Sequence, residues 1–159
     1  MDQCVWTKYG LLYTYRYEGT AIDHLGMIDI GSQKQTILLS DAIGGSTFII
    51  SVDPYAPRII IVIDEDINEN IGVYDLKTKK VEQTLCTTRG CPYLTAVEPS
   101  PYVGLLTCDS SFRFFYWKTR SLEDVSSNSV SSLEWRPDLG EFILMGNTGN
   151  HQWFESVGP

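Results

Sequence analysis

Few residues in this sequence could carry acid–base chemistry. The chain has two histidines, His24 and His151, and histidine is the side chain whose usual pKa lies closest to neutrality. Asp23 is next to His24, but neighbouring residues of a strand point to opposite faces, so these two do not form a catalytic pair. His151 lies in a polar turn, where a surface position is typical. No nucleophile elbow, phosphate-binding glycine loop or zinc-spaced Cys/His set is present. We therefore expect a protein that is not an enzyme and needs no cofactor.

One acidic segment, residues 64–72 (DEDINENIG), has the composition of a metal site. Oxygen-bearing side chains alternate along it, as in a calcium loop, but the sixth position is Glu69 where such a loop needs glycine, and the flanks resemble strands. The interpretation that we favour is a solvated hairpin tip, and a further one is that Glu65 and Glu69 of this tip contact a basic partner. On the first interpretation the calcium ligands are Asp64, Asp66, Asn68 and Asn70.

The N-terminus and the cysteines indicate the compartment. An acidic residue follows the initial methionine, where a secretory signal carries positive charge, and no apolar run of seven or more residues comes after it. No stretch approaches the roughly 18 apolar residues of a membrane span. Four cysteines in 159 residues are too sparse for a disulfide framework. We expect a cytoplasmic, intracellular protein with free thiols and no membrane contact.

The charge balance excludes one class of partner. Twelve Lys and Arg residues stand against twenty Asp and Glu residues, which gives a formal net charge of −8. A nucleic-acid binder needs the opposite excess to displace counterions from phosphates. An acidic surface instead steers the chain toward basic partners.

Strand signals recur along almost the whole chain. Runs of β-branched and aromatic residues, five to eight long, alternate with stretches of Gly, Pro, Asp, Asn and Ser. The segment with the most helical character, residues 121–132, contains several serines, which favour turns. The sequence therefore predicts an all-β protein.

Two anchors repeat with a similar period. Prolines follow the strand-like segments Phe48–Val52, Tyr93–Glu98 and Val130–Arg136, at spacings of 45 and 38 residues. A polar hairpin after a strand recurs at Asp29, Asp75 and Trp117, at spacings of 46 and 42 residues. A fourth copy of the first anchor is indicated by the likeness of residues 4–12 to residues 134–142. Repeats of this length in an all-β chain are typical of stacked or radially arranged sheets.

The hairpin segment Val73–Lys79 resembles the end of the third strand of a WD40-type propeller blade, where a dipeptide ending in Asp precedes a polar hairpin. The Gly-His pair of that family is absent, and Tyr116-Trp117 stands in place of its aromatic-Asp dipeptide. The resemblance implies four-stranded antiparallel blades and a non-catalytic role in protein–protein interaction.

On this interpretation residues 1–159 form a single domain with units at 4–40, 46–86, 91–125 and 130–157, or about 3.5 blades. The last unit lacks a fourth strand, and a propeller usually needs four to eight blades to close. Open ends expose apolar faces and strand edges, so we expect another protein or a second copy of the chain to complete the ring. A β-sandwich or a small barrel is the alternative fold.

Aromatic residues supply most of the predicted partner surface. Alternation along residues 13–17 places three tyrosines on one strand face, and residues 112–117 must present aromatic rings to both faces. The predicted partner-binding residues are Glu65, Glu69, Tyr13, Tyr15, Tyr17, Phe115, Trp117, His151 and Trp153.

Three functions follow from these observations. The first is a WD40-like, non-catalytic protein–protein interaction module or scaffold subunit of a larger complex. The second is a small acidic immunity-type or inhibitor-type protein that binds a basic partner. The third is a carbohydrate-binding β domain that uses the tyrosine and tryptophan rings.

Overall fold

A computed structural model describes residues 3–19, 23–39, 47–65, 68–88, 102–106, 112–126 and 130–158. Every regular element in these ranges is a β-strand, and the strands form four antiparallel sheets. The same ranges hold no helix long and apolar enough to cross a membrane. The predicted all-β class is therefore confirmed. The predicted strand at residues 93–97 lies outside the described residues.

The first two sheets have four strands each, and each strand pairs with the next one along the chain. The first sheet consists of β1 (Cys4–Thr7), β2 (Gly10–Arg16), β3 (Asp23–Ile28) and β4 (Gln35–Leu39). The second consists of β5 (Thr47–Val52), β6 (Arg58–Glu65), β7 (Asn68–Asp75) and β8 (Lys80–Thr88).

The third and fourth sheets have three described strands each, again paired in chain order. The third sheet consists of β9 (Tyr102–Leu106), β10 (Phe112–Tyr116) and β11 (Ser121–Ser126). The fourth consists of β12 (Val130–Arg136), β13 (Glu141–Thr148) and β14 (His151–Val157). The four predicted units and the single domain stay predictions.

The sheets pack face to face in the order of the chain. Strand β6 shows this most clearly, since Ile59, Ile60, Ile61 and Val62 are all at most 4% exposed and successive side chains point to opposite faces. Ile59 and Ile61 pack against the first sheet, whereas Ile60 and Val62 pack against the third. A further cluster joins the third sheet to the fourth; it contains Tyr102, Phe112, Phe114, Val130, Phe142 and Leu144.

We call the face of a sheet that points back along this order its front face, and the opposite face its rear face. The front of the second sheet contacts the first sheet, and its rear contacts the third. The front of the first sheet and the rear of the fourth sheet are therefore the two end faces of the stack.

The hairpins show the phase of the repeat. The amide of Lys79 donates to the carbonyl of Asp75, and the amide of Arg120 donates to that of Tyr116; both donors have a φ of 58°. Asp75 therefore corresponds to Tyr116, 41 residues on, and the predicted match of Asp75 with Trp117 is wrong by one residue. The aromatic dipeptide Tyr116-Trp117 suggests the later match, but in a hairpin the turn geometry fixes the register, and it places Tyr116 at the position of Asp75.

The match between Asp29 and Asp75 is confirmed. The Oδ1 atom of Asp29 accepts from the amide of Ser32 at 2.7 Å, and that of Asp75 accepts from the amide of Thr78 at 2.6 Å. Hydrogen bonds from the hydroxyl and the amide of Ser32 hold the pKa of Asp29 below its usual range. The same short Asp-capped turn thus ends the third strand of the first and the second sheet.

Gly10 opens β2 in a conformation that other residues rarely adopt. Its φ is +146°, and a Cβ atom there would lie 2.4 Å from the carbonyl oxygen of Ile28. We expect Gly10→Ala to lower the free energy of unfolding by about 2 kcal/mol, because both the backbone and strand β3 must shift. Urea unfolding followed by tryptophan fluorescence measures this. Gly31→Ala in the β3–β4 turn is the control; the atom nearest to its added Cβ is a side-chain oxygen at 3.6 Å, and an equal loss there would contradict the explanation.

A buried tyrosine ties the second sheet to the first. The hydroxyl of Tyr74 donates to the carbonyl of Leu38 at 2.6 Å, where a bulge interrupts the pairing of β3 with β4. Burial, with the nearby charge of Asp75, raises the pKa of Tyr74 to about 12. The neutral phenol is therefore favoured in the folded state.

This pKa predicts a loss of stability in alkali. Because the folded pKa exceeds the unfolded value near 10, the contribution of Tyr74 is complete below pH 10 and is lost as the pH rises toward 12. We expect Tyr74→Phe to remove about 1 kcal/mol of the fall in unfolding free energy between pH 9 and pH 11. Urea titrations at several pH values test this. Tyr55→Phe, at an exposed position, serves as the control, and identical pH profiles for all three proteins would contradict the prediction.

Candidate protein interface

The front face of the first sheet is rich in aromatic residues. In β2, Leu12 and Thr14 are buried toward the second sheet, so Leu11, Tyr13 and Tyr15 point to the front. The register of β2 with β3 places these three opposite Ile28, Gly26 and His24. The predicted placement of Tyr13 and Tyr15 on one strand face is thus seen directly.

Tyr15, Tyr17 and His24 form one aromatic cluster. The Tyr15 ring stacks on the His24 ring with centroids 5.1 Å apart, and the Tyr17 ring meets both edge-on at 5.4 and 5.0 Å. His24 is only 9% exposed, and its Nδ1 atom has no hydrogen-bond partner. Burial, followed by a hydrogen bond to Tyr17 and the proximity of Tyr17 and Tyr13, raises the pKa of Tyr15 to about 12. Its hydroxyl is therefore protonated throughout the neutral range.

The Tyr13 ring lies flat across the sheet because its cross-strand neighbour is a glycine. A Cβ atom at Gly26 would stand 2.4 Å from Cζ of Tyr13. The side-chain amide of Gln35 on β4 donates to the Tyr13 hydroxyl. The ring is thus held over two strands and contributes a flat surface to the front face.

Large exposed side chains border this cluster. Trp6 on β1 pairs with Leu11 and is 69% exposed, and Tyr17 and Ile37 are also exposed. We call Trp6, Tyr13, Tyr15, Tyr17 and Ile37 the tyrosine face. A contiguous aromatic and aliphatic surface of this kind is typical of a binding site.

The tyrosine face occupies positions that are buried in the other sheets. Trp6 pairs with Leu11 next to a turn, just as Trp135 pairs with Phe142 next to the corresponding turn of the fourth sheet. Trp135 packs against the third sheet, with its ring 5.7 Å from that of Tyr102. Trp6 therefore stands where the fourth sheet contacts its predecessor, but no preceding sheet covers it in the described residues.

The equivalence extends to the second sheet. Because Asp29 corresponds to Asp75, Ile28 and its partner Leu11 correspond to Tyr74 and its partner Ile59. Two and four residues further along β2 and β6, Tyr13 and Tyr15 correspond to two isoleucines that pack on the first sheet. These are Ile61 and Ile63.

The rear face of the fourth sheet is the opposite end of the stack. It carries Ile143, Met145 and Phe154, and Phe154 is 67% exposed. These three correspond to second-sheet residues that are buried against the third sheet, namely Ile60, Val62 and Ile71. Pro54 and Pro137 support this alignment, because each is the first residue of a four-residue turn.

Other predicted partner residues lie elsewhere. Phe115 and Trp117 are buried between the second and third sheets, so a partner cannot reach their rings and the proposed surface does not include them. Trp153 is partly buried against the third sheet, and its indole nitrogen has no hydrogen-bond partner. His151 is exposed at the start of β14.

The acidic segment forms the predicted hairpin. Strands β6 and β7 pair Asp64 with Glu69 and Glu65 with Asn68; residues 66–67 lie outside the described residues. Asn70 is half-buried on β7. In the described part of the chain no three His, Cys, Asp or Glu side chains converge on a common point that could hold a metal. The calcium ligands Asp64, Asp66, Asn68 and Asn70 stay a prediction.

Sequence reasoning missed part of this surface. The local sequence offers His24 only its chain neighbour Asp23, whereas its contacts come from Tyr15 across the strand pair and from Tyr17. The signal for Trp6 was present, because residues 4–12 resemble residues 134–142. Nothing in the local sequence identified Ile37 or Phe154 as residues of an end face.

Four antiparallel sheets that follow one another along the chain and pack face to face in that order define an all-β protein of the propeller type. Among solved structures, the chain is similar to TolB from Acinetobacter baumannii, a WD40-like β-propeller protein, with a TM-score of 0.57 and 18% sequence identity. The likeness covers 92% of this chain but 38% of the TolB chain, so this chain spans well under half the length of that protein. No protein-family model and no curated protein matches the chain.

At this level of identity the shared property is the fold. The prediction of a partial propeller is confirmed, and it replaces the sandwich and barrel alternatives.

Proposed function

We propose that the chain is a non-catalytic, WD40-like protein-interaction module, a scaffold subunit of a larger complex, which binds a β-sheet of a partner through the tyrosine face. One observation carries the proposal. Trp6, Tyr13 and Tyr15 occupy positions at which the second and fourth sheets pack on a neighbouring sheet. A partner sheet laid on the first sheet would make the same contacts.

The chemistry of the tyrosine face supports a protein partner. Tyrosine and tryptophan are enriched at the centres of protein interfaces, where their rings bury apolar area and their polar atoms form hydrogen bonds. Tyr15 and Tyr17 hold each other and His24 in place, so little conformational freedom remains to be lost on binding. Carbohydrate binding and inhibition of a basic protein stay predictions.

We propose that the module is intracellular. Cys4 lies on the first sheet as an exposed free thiol, which suits a reducing compartment. The formal net charge of −8 favours a partner whose contacting surface is neutral or basic.

A photo-crosslinking amino acid at position 6 tests the proposed surface. Placed in the full chain in cells of the source organism, it is expected to give a discrete protein adduct whose crosslinked peptide mass spectrometry identifies. The adduct should disappear when Tyr13 and Tyr15 are both changed to Ser. The same crosslinker at Leu139, an exposed apolar residue of the β12–β13 turn, is the control. Equal labelling from both positions, or no adduct from position 6, would contradict the proposal.

A further inference from the structure

We infer that the partner sheet is the fourth sheet of a second copy, whose rear face packs on the tyrosine face so that two chains form one ring of eight sheets. This inference rests on the proposed function and names its partner. Each chain offers one front and one rear end face, so two copies can satisfy both in a head-to-tail arrangement.

The positions of the apolar residues fit this arrangement. Inside the chain, rear residues such as Ile60 and Val62 pack on the front of the following sheet. Their equivalents Ile143 and Met145, together with Phe154, point to the rear of the fourth sheet. Placing the first sheet of another copy there repeats an arrangement that the chain already makes three times, between its successive sheets.

The polar groups of the two end faces are complementary. The front-facing strand residues described on the first sheet include no Asp, Glu, Lys or Arg, and they include the phenol groups of Tyr13 and Tyr15. The rear of the fourth sheet carries the carboxylates of Glu134 and Glu141 and the guanidinium of Arg136, which is already paired with Asp138 in the adjoining turn. Head-to-tail packing sets hydroxyl donors near carboxylates, whereas rear-to-rear packing would oppose carboxylates of two acidic chains.

The number of sheets agrees with closure. Two copies of four sheets give eight, which lies within the usual range of four to eight blades for a closed propeller. A front-to-front dimer would cover the two tyrosine faces but leave both rear faces, with the exposed Phe154, in water. Only the head-to-tail pair covers all four end faces.

Light scattering on a matched pair of variants tests the arrangement. Trp6→Ser alters only the front face and Phe154→Ser only the rear face; both side chains are more than two-thirds exposed in the single chain, so each variant should fold. We expect the wild type to have twice the 17.9 kDa mass of one chain. The dissociation constant of the dimer should be about a hundredfold higher for each variant than for the wild type. Leu139→Ser should leave the dimer unchanged.

Mixing the two variants gives the sharper result. A pair of one Trp6→Ser chain and one Phe154→Ser chain has one unaltered contact and one contact in which both residues are changed, whereas each variant paired with itself has two altered contacts. Changes within one contact are not additive, and the second serine in an already disrupted contact costs little. An equimolar mixture should therefore form dimers at a concentration where each variant alone is monomeric. Circular dichroism and urea unfolding confirm that both variants are folded. A monomeric wild type, a Phe154→Ser chain that dimerises normally, or no recovery on mixing would each overturn the inference.

The crosslinking experiment separates this inference from the proposed function. An adduct from position 6 to residues 141–157 of a second copy supports both. An adduct to a different protein, with a monomeric chain, overturns the second copy and retains the interaction module. The absence of both an adduct and a dimer would contradict the inference of a second copy and the proposed function.

Discussion

Replacing Asp53 with alanine is expected to lower the free energy of unfolding by about 3 kcal/mol, because a buried carboxylate with several donors is lost. The Asp53 side chain is 0% exposed, and its Oδ2 atom lies 2.9 Å from Nε of Arg58, which is 19% exposed. Its Oδ1 atom accepts from the amides of Tyr55 at 2.7 Å and Ala56 at 3.1 Å. Alanine leaves the two amides without this acceptor and the partly buried guanidinium of Arg58 without its nearest carboxylate.

The loss should spread beyond the turn. The guanidinium of Arg58 also lies 3.8 Å from Glu82 on β8, and Glu82 lies 3.2 Å from Arg120 in the β10–β11 turn. Asp53 thus fixes the first member of a chain of charges that reaches from the second sheet to the third. Asp53→Asn should cost less than Asp53→Ala, because an amide oxygen can still accept from the two backbone amides while the ion pair is lost.

Asp138→Ala is the matched control for this prediction. Asp138 pairs with Arg136 at 2.8 Å in the corresponding turn of the fourth sheet, but both side chains are largely exposed. Exposed ion pairs contribute little to stability because water and salt screen them, so this variant should unfold at nearly the wild-type urea concentration. If the two alanine variants lost similar stability, burial would not be the cause.

The strands and their turns could be predicted from the sequence because local rules determine them. Alternation and β-branched runs place β6 correctly, and the shared Asp-capped turn of Asp29 and Asp75 is visible as a spacing of 46 residues. The likeness of the segments around Trp6 and Trp135 is also local, and the structure shows both at equivalent pairs of strands.

Which face of a strand is covered could not be predicted, because neighbouring sheets decide it. The run of aromatic residues 112–117 must point both ways, and the sequence offered an interface as well as a core. Phe115 and Trp117 lie in the core because the second sheet packs on that side, while Phe114 packs on the fourth sheet. By contrast Tyr13 and Tyr15 have the same alternation but no described sheet in front of them. The same local alternation of aromatic residues thus gives core residues in one sheet and surface residues in another.

This asymmetry is the physical basis of the proposed interaction. A repeat architecture gives each unit a front and a rear that need neighbours, and the end units have the same positions without them. Tyr13 and Tyr15 at the front end suit a face that meets both water and protein, since each ring has a polar atom, whereas the equivalent positions of the second sheet hold isoleucines.

Phe142→Ala is expected to cost about 4 kcal/mol of unfolding free energy, because it empties the centre of the cluster that joins the third and fourth sheets. Phe142 is fully buried, and its ring centroid lies 4.7 Å from that of Trp135, 5.6 Å from Phe112 and 5.7 Å from Phe114. The surrounding rings are held by both sheets and can close the cavity only in part. The expected measurement is a large shift of the urea midpoint at unchanged slope.

Phe154→Ala makes the same chemical change on the opposite face of the same sheet, so it separates core packing from association. In a monomeric chain the exposed Phe154 ring contributes little, and we expect a loss below about 0.5 kcal/mol. At concentrations where two copies pair, the cost should rise with protein concentration, because association stabilises only the folded wild type. Phe142→Ala leaves the rear face intact and should instead lose the same free energy at every protein concentration. If Phe154→Ala showed no concentration dependence while the wild type did, the rear face would not be the contact between copies.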